Sequence, residues 1–260
     1  MKVNNVLFQG LFLIYFFLVA CANPKNIVYY QGIADQNELE QTVLSYEVKI
    51  QPDDLLNIIV SAENPEIAMP FNLTTAAVGT SNPNMYRGQE MIQSYLVDSK
   101  GNIQFPVLGS LHVGGLSRSE LLDLLQNKIS AYIKQPIINI RIINFKVSVQ
   151  GEVTSPGVFT VNTERITLIE ALSMANDLSI YGNRHNVLLI REQNGKKMYQ
   201  TIDITKADFI NSPYYYLAQN DVVYVQPNTT KMNASAVGPN TSVILSSLSL
   251  LLSVCVLIFK

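Results

Sequence analysis

Val147-Ser148-Val149-Gln150-Gly151-Glu152-Val153, then Thr154-Ser155-Pro156-Gly157, then Val158-Phe159-Thr160-Val161 is the stretch that decides the fold. Apolar and polar residues alternate on both sides of a Pro-Gly turn, the pattern of two half-buried strands in a hairpin. Thr167-Leu168-Ile169-Glu170 follows. A Thr with a Glu three residues on is a capping box, and it predicts a helix reaching about Asn176. Asn194-Gly195 separates two apolar-rich runs, residues 187–191 and 197–204, and is a strong hairpin signal. Asp221-Val222-Val223-Tyr224-Val225 closes the unit as a last strand. Strand pair, helix, strand pair, strand is a β-grasp order, so the fold class is α+β.

Upstream, a second unit reads the same way. Tyr46-Glu47-Val48-Lys49-Ile50 alternates like a strand, Gln51-Pro52-Asp53-Asp54 is a turn, and residues 55–60 are a second strand. Residues 61–93 carry scattered Asn, Pro, Gly and Thr and read as a long loop, a kind that is usually functional or mobile. Residues 95–97 and 103–105, with Asp98-Ser99-Lys100-Gly101 between them, predict a hairpin. Ser117-Arg118-Ser119-Glu120 is another capping box. It opens a helix with Leu121, Leu122, Leu125, Ile129 and Ile133 inward, ended by Pro136. Ile138, Ile140 and Ile142 then mark one face of a β run.

The two ends carry membrane signals. A basic start, an apolar run over residues 6–17, and Leu18-Val19-Ala20 before Cys21 have the parts of a secretory signal. The alternative is an uncleaved anchor with a chance Cys. Residues 22–44 are polar and aperiodic, which predicts a tether. At the other end residues 242–260 form an apolar helix after a loop-like stretch, residues 228–241. About seventeen such residues span roughly 26 Å, short for an average bilayer and nearer to a thin one. The reading is a single C-terminal transmembrane helix. Ser242, Ser246, Ser249 and Ser253 fall within about 60° of one another on it. Small residues at that spacing either let helices pack closely and hydrogen-bond, or face a wet lumen if several copies form a ring. Plain anchoring needs no such stripe.

Composition narrows the function. Eighteen basic against twenty acidic residues give a net charge of −2, and no basic-aromatic patch is visible, which argues against a nucleic-acid partner. One of the two cysteines is Cys21 and the other, Cys255, sits in the terminal helix, so the body is held by packing alone. No nucleophile elbow, zinc-protease motif or phosphate loop occurs. His112 and His185 are isolated and read as surface residues. Asp53-Asp54 has the makings of a carboxylate pair, but adjacent strand-turn residues point apart, and turn chemistry explains them. Tyr214-Tyr215-Tyr216 suits either sugar stacking or packing. The expectation is no enzyme, no metal and no cofactor.

Taken in order, residues 46–226 resemble the Wza-type polysaccharide export outer-membrane lipoproteins of Gram-negative bacteria. The first unit is similar to their export domain at Pro52-Asp53-Asp54, at Val97-Asp98-Ser99-Lys100-Gly101-Asn102-Ile103, and at Phe105-Pro106-Val107-Leu108-Gly109. The second is similar to their SLBB-like β-grasp module at Gly151-Glu152-Val153, Pro156-Gly157-Val158-Phe159 and Leu168-Ile169-Glu170-Ala171-Leu172. Residues 64–72 are reminiscent of the Bacteroidetes branch. The resemblance implies a signal peptide over 1–20, an acylated Cys21, a tether over 21–45, and an export domain over 46–146. It further implies a β-grasp domain over 147–227, a linker over 228–241 and a terminal helix over 242–260. It implies an outer-membrane, lipid-anchored protein with its body in the periplasm. Its function would be an oligomeric ring exporting capsular polysaccharide or exopolysaccharide, with membrane lipid and an inner-membrane polysaccharide co-polymerase as partners. The alternative is a non-transporting periplasmic glycan-binding lipoprotein; a third reading is an inner-membrane assembly factor. Where the family has glycine, this chain has Asp53, Asn176 and Asn220. Asp and Asn are the usual substitutes at left-handed positions, so positive φ is expected at one or more of the three.

Overall fold

The computed structural model describes residues 26–33, 46–75, 91–193, 195–236 and 240–258. In β1 (Leu55–Ser61) Leu56, Ile58 and Val60 are buried, as alternation demands. A short helix α1 (Pro65–Ala68) and a 3-10 turn (Met69–Phe71) fold the chain back onto β1, where the Asn72 amide bonds both the N–H and the C=O of Val60 at 2.9 Å. Then come β2 (Thr74–Thr75), β3 (Met91–Ile92), β4 (Tyr95–Leu96), β5 (Asn102–Phe105) and β6 (Gly109–His112). Next are α2 (Arg118–Ile129) and β7 (Ile137–Ile142). The central sheet has the order β4-β1-β7, and Leu121, Leu125 and Ile129 of α2 share a fully buried core with it.

Three expectations for this unit are corrected. Residues 46–50 form a single bridge, Lys49 to Ser117, rather than a strand. Their alternation has another cause: Val48 enters the core of the second unit and Ile50 that of the first. The Asp98–Gly101 turn is present, but β5 pairs with β6, while β4 pairs with β1. Finally, α2 stops at Ile129, seven residues before Pro136. Tyr132 and Ile133 both donate to the Ile129 carbonyl at 2.9 Å, and Gln135 is left-handed (φ 54°). The turn, not the proline, ends the helix.

The second unit contains β8 (Lys146–Gly151), β9 (Gly157–Thr160), β10 (Ile166–Thr167), α3 (Leu168–Met174), β11 (Gly182–Gln193), β12 (Lys196–Ile202), β13 (Tyr216–Leu217) and β14 (Val222–Pro227). Its five-stranded sheet runs β12-β11-β14-β8-β9, with β14 and β8 parallel and the other pairs antiparallel. That is the β-grasp arrangement, in which first and last strands meet at the centre. Leu168, Ala171 and Leu172 of α3 are buried in the same core as Val147, Val149, Val223 and Val225 of the sheet. Gly151 is obligatory where β8 leaves β14: its φ is +89°, and a Cβ there would lie 2.1 Å from the Val225 carbonyl oxygen. Asp53, Asn176 and Asn220 all have positive φ (69°, 56° and 63°), which meets the expectation at each position.

The ends differ from the sequence reading. Residues 26–33 are not a free tether but lie on the second unit. Gln31 donates to Thr205 O (2.6 Å) and accepts from Ala207 N (3.0 Å). Tyr30 stacks on Phe209 at 5.7 Å, and the Tyr29 hydroxyl donates to Asp177 at 2.7 Å. Two tyrosines in a polar stretch are enough to fasten it. At the other end α4 (Thr229–Ala236) is held by Asn228 donating to Tyr181 O and by a Lys231–Glu152 ion pair. It is followed by α5 (Asn240–Ile258). Among the described residues no helix is long and apolar enough to cross a membrane. The transmembrane reading of residues 242–260 is not supported among these residues.

Candidate functional site at the junction of the two units

The Pro52-Asp53-Asp54 turn is a joint. Left-handed Asp53 lets the chain double back, so that Asp53 N donates to Val97 O and Val97 N to Asp54 O, both at 2.9 Å. Asn144 holds the turn from the far side, donating to Asp53 O and accepting from Leu55 N at 2.9 Å each. Gln219 of the second unit accepts from Lys146 N (2.8 Å) and donates to Asn144 O (2.9 Å). The two carboxylates part company. Asp53 is exposed, whereas Asp54 is buried, with one oxygen accepting from Gln51 N at 2.8 Å and the other without a hydrogen bond of good geometry among the described residues. Burial pushes the Asp54 carboxyl up to about 6, against the pull of the Gln51 N–H and the Gln219 side chain.

Beside this joint the two units enclose a cleft of about 560 Å³. Its walls come from four segments: Tyr46, Glu47 and Val48; Arg118 and Ser119 in the first turn of α2; Arg141 on β7; and Asn162, Thr163, Glu164 and Arg165 in the β9–β10 loop. Arg118 spans it with an ion pair to Glu164 at 3.1 Å. The Ser119 hydroxyl donates to Glu47 at 2.9 Å, and bonds from Ser117 and Ser119 hold the Glu47 carboxyl below the usual range. Thr163 donates to Arg165 O at 2.8 Å and shapes the loop. Tyr46 stacks on Tyr216 at 5.2 Å, and the Arg165 guanidinium lies 5.1 Å over the Tyr216 ring. Among the described residues no carboxylate pairs with Arg141 or Arg165. The cleft combines an aromatic face, hydroxyl and amide groups, and two guanidiniums without a carboxylate partner among the described residues.

The residues singled out in the sequence do not converge on this cleft. Cys21 lies outside the described residues, as does the side chain of Ser242. Ser246, Ser249 and Ser253 are exposed on α5, each donating to a carbonyl three or four residues back. The tyrosine run is largely spent on packing: Tyr215 meets Phe209 and Tyr216 at 6.0 and 5.1 Å, and Arg191 faces Tyr214 at 5.9 Å. Arg191 is itself locked to buried Asp221 at 2.7 Å. His112 bonds Asn102 and His185 bonds Asp203, both on the surface. Only Tyr216, through Tyr46, reaches the cleft. Its arginines are dispersed over 47 positions and carry no local signal in the sequence.

Residues 43–143 match the polysaccharide biosynthesis/export protein family model, and residues 145–225 match the SLBB domain. The chain is 27% identical over 184 residues to the EPS I polysaccharide export outer membrane protein EpsA of Ralstonia solanacearum, covering 69% of this chain and 48% of that one. It is 28% identical over 183 residues to the EPS I polysaccharide export outer membrane protein EpsA of Ralstonia nicotianae, covering 68% and 47%. The chain spans about half the length of the curated relatives it matches. An export-family segment and an SLBB segment, each coinciding with one folded unit and in that order, make this chain similar to the Wza-type polysaccharide export proteins.

Proposed function

We propose that the chain exports exopolysaccharide or capsular polysaccharide across the Gram-negative outer membrane, working as a ring of copies. The observation that carries this is the tandem of export and SLBB domains, in a chain similar to two proteins named for polysaccharide export at the outer membrane. A path wide enough for a polymer calls for several copies of a body of this size, arranged by closed symmetry. Acylated Cys21 anchors the body on the periplasmic side. The strongly exposed leucines of α5, such as Leu245 and Leu257 (71% and 79%), call for an apolar cover. Neighbouring copies that meet along Ser242, Ser246, Ser249 and Ser253 supply it. An inner-membrane co-polymerase delivers the glycan, and the protein itself performs no bond chemistry.

The test is native mass analysis of the full chain in mild detergent, paired with secreted polysaccharide from cells carrying a 242–260 deletion. Assemblies of several copies, and loss of both assembly and secretion on truncation, are expected. A monomer that secretes normally would sink the reading. A truncated chain that binds sugar while secretion never depended on it would point to the glycan-binding alternative.

A further inference from the structure

The cleft has chemistry that the export reading does not by itself require. Its volume, about 560 Å³, falls within the range of small-ligand sites and is too small for a folded partner. Three of its arginines face two glutamates. Glu164 is engaged by Arg118 and Glu47 by the Ser119 hydroxyl, which leaves Arg141 and Arg165 without a counter-charge among the described residues. A planar guanidinium matches a carboxylate in two parallel hydrogen bonds, a fit that a neutral hydroxyl does not offer. Tyr46 presents an aromatic ring beside them, and Asn162 and Thr163 add an amide and a hydroxyl.

We infer that the cleft between the two units is a saccharide subsite selective for carboxylate-bearing sugars, with Arg141 and Arg165 as its specificity-determining residues. This rests on the export reading, and it places glycan contact at the seam of the two domains. Because the walls belong to different units, occupation also braces the joint built on Asn144 and Gln219.

The experiment is calorimetric titration of the full chain with tetragalacturonate and with maltotetraose, at low and at physiological salt. Wild-type protein should bind the acidic tetramer at least tenfold more tightly, with the preference shrinking as salt rises. The R141A/R165A double variant should lose the preference, and R141K/R165K should keep only part of it. Both arginines are exposed, so an unchanged unfolding midpoint is expected and checks the fold. No binding of the acidic tetramer by wild type, equal binding of both sugars, or an undiminished preference in R141A/R165A each overturns the proposal. Secretion separates this from the wider reading. Cells lacking the chain that stop secreting, beside R141A/R165A cells that secrete normally, would leave export standing and remove the subsite.

Discussion

Buried Asp54 gives the joint an unusual pH response. Its carboxyl titrates near 6 when folded, because burial disfavours the charge, and near 3.9 when unfolded. Between those values the folded state holds the extra proton, so this residue stabilises the fold as pH falls from 6 towards 4 and costs about 3 kcal/mol above 6. Glu47, Glu120 and Glu152, whose carboxyls are held low by hydrogen bonds, act in the opposite sense. Asp54→Asn isolates the effect: it should stabilise the protein by about 1–3 kcal/mol at pH 7.5 and by almost nothing at pH 4. Urea unfolding at the two pH values measures it, and an advantage that grows on acidification would refute the account. Residue-scale features were legible only where side-chain chemistry announces them. Asn and Asp advertise a left-handed backbone at positions 53, 176 and 220, whereas Tyr30, Val107 and Gln135 adopt it without any such signal. Nor does a sequence announce that Asp53 stays wet while its neighbour is sealed in.

Elements were legible where their signals are local. Both capping boxes are present in full: Glu120 N and Glu170 N donate to Ser117 and Thr167, and each glutamate accepts in return at 2.6 and 2.7 Å. Thr167→Ala should cost about 1 kcal/mol, and Ser117→Ala, at a buried site, about 1–2 kcal/mol. Thermal melts of the two variants test the ranking; an equal or inverted order would mean that burial adds nothing to the cap. The strands β8, β9, β11 and β12 were read from alternation and turn residues, because hairpin partners are neighbours in sequence. The errors fell where pairing is not local. Alternation told that residues 95–97 and 103–105 are extended, but not that β4 would choose β1 and β5 would choose β6. Residues 46–50 alternate because two cores each claim one side chain, a cause indistinguishable in one dimension from a strand.

At the scale of the molecule, the segment 26–33 and helix α4 leave the body from neighbouring points. Asn26 reaches His185 and Asn228 reaches Tyr181, both at the start of β11. Both segments therefore lie against the second unit. Tyr30→Ala should loosen this attachment, costing about 1–2 kcal/mol for the lost ring burial. Amide exchange at Gln31 and Ala207 should quicken, while exchange in β1 stays slow; no change at Gln31 would mean that the tyrosine is not the fastening. The cleft was the least legible feature, since its walls come from four segments that only tertiary packing brings together. The parallel union of β8 with β14 has a further consequence. Strand β8 is made early and its central companion last, some seventy residues later, so the ribosome must finish Pro227 before the sheet has a middle. Until then Val147 and Val149 have no lasting shelter, and the half-built module stays an open chain, slow to close.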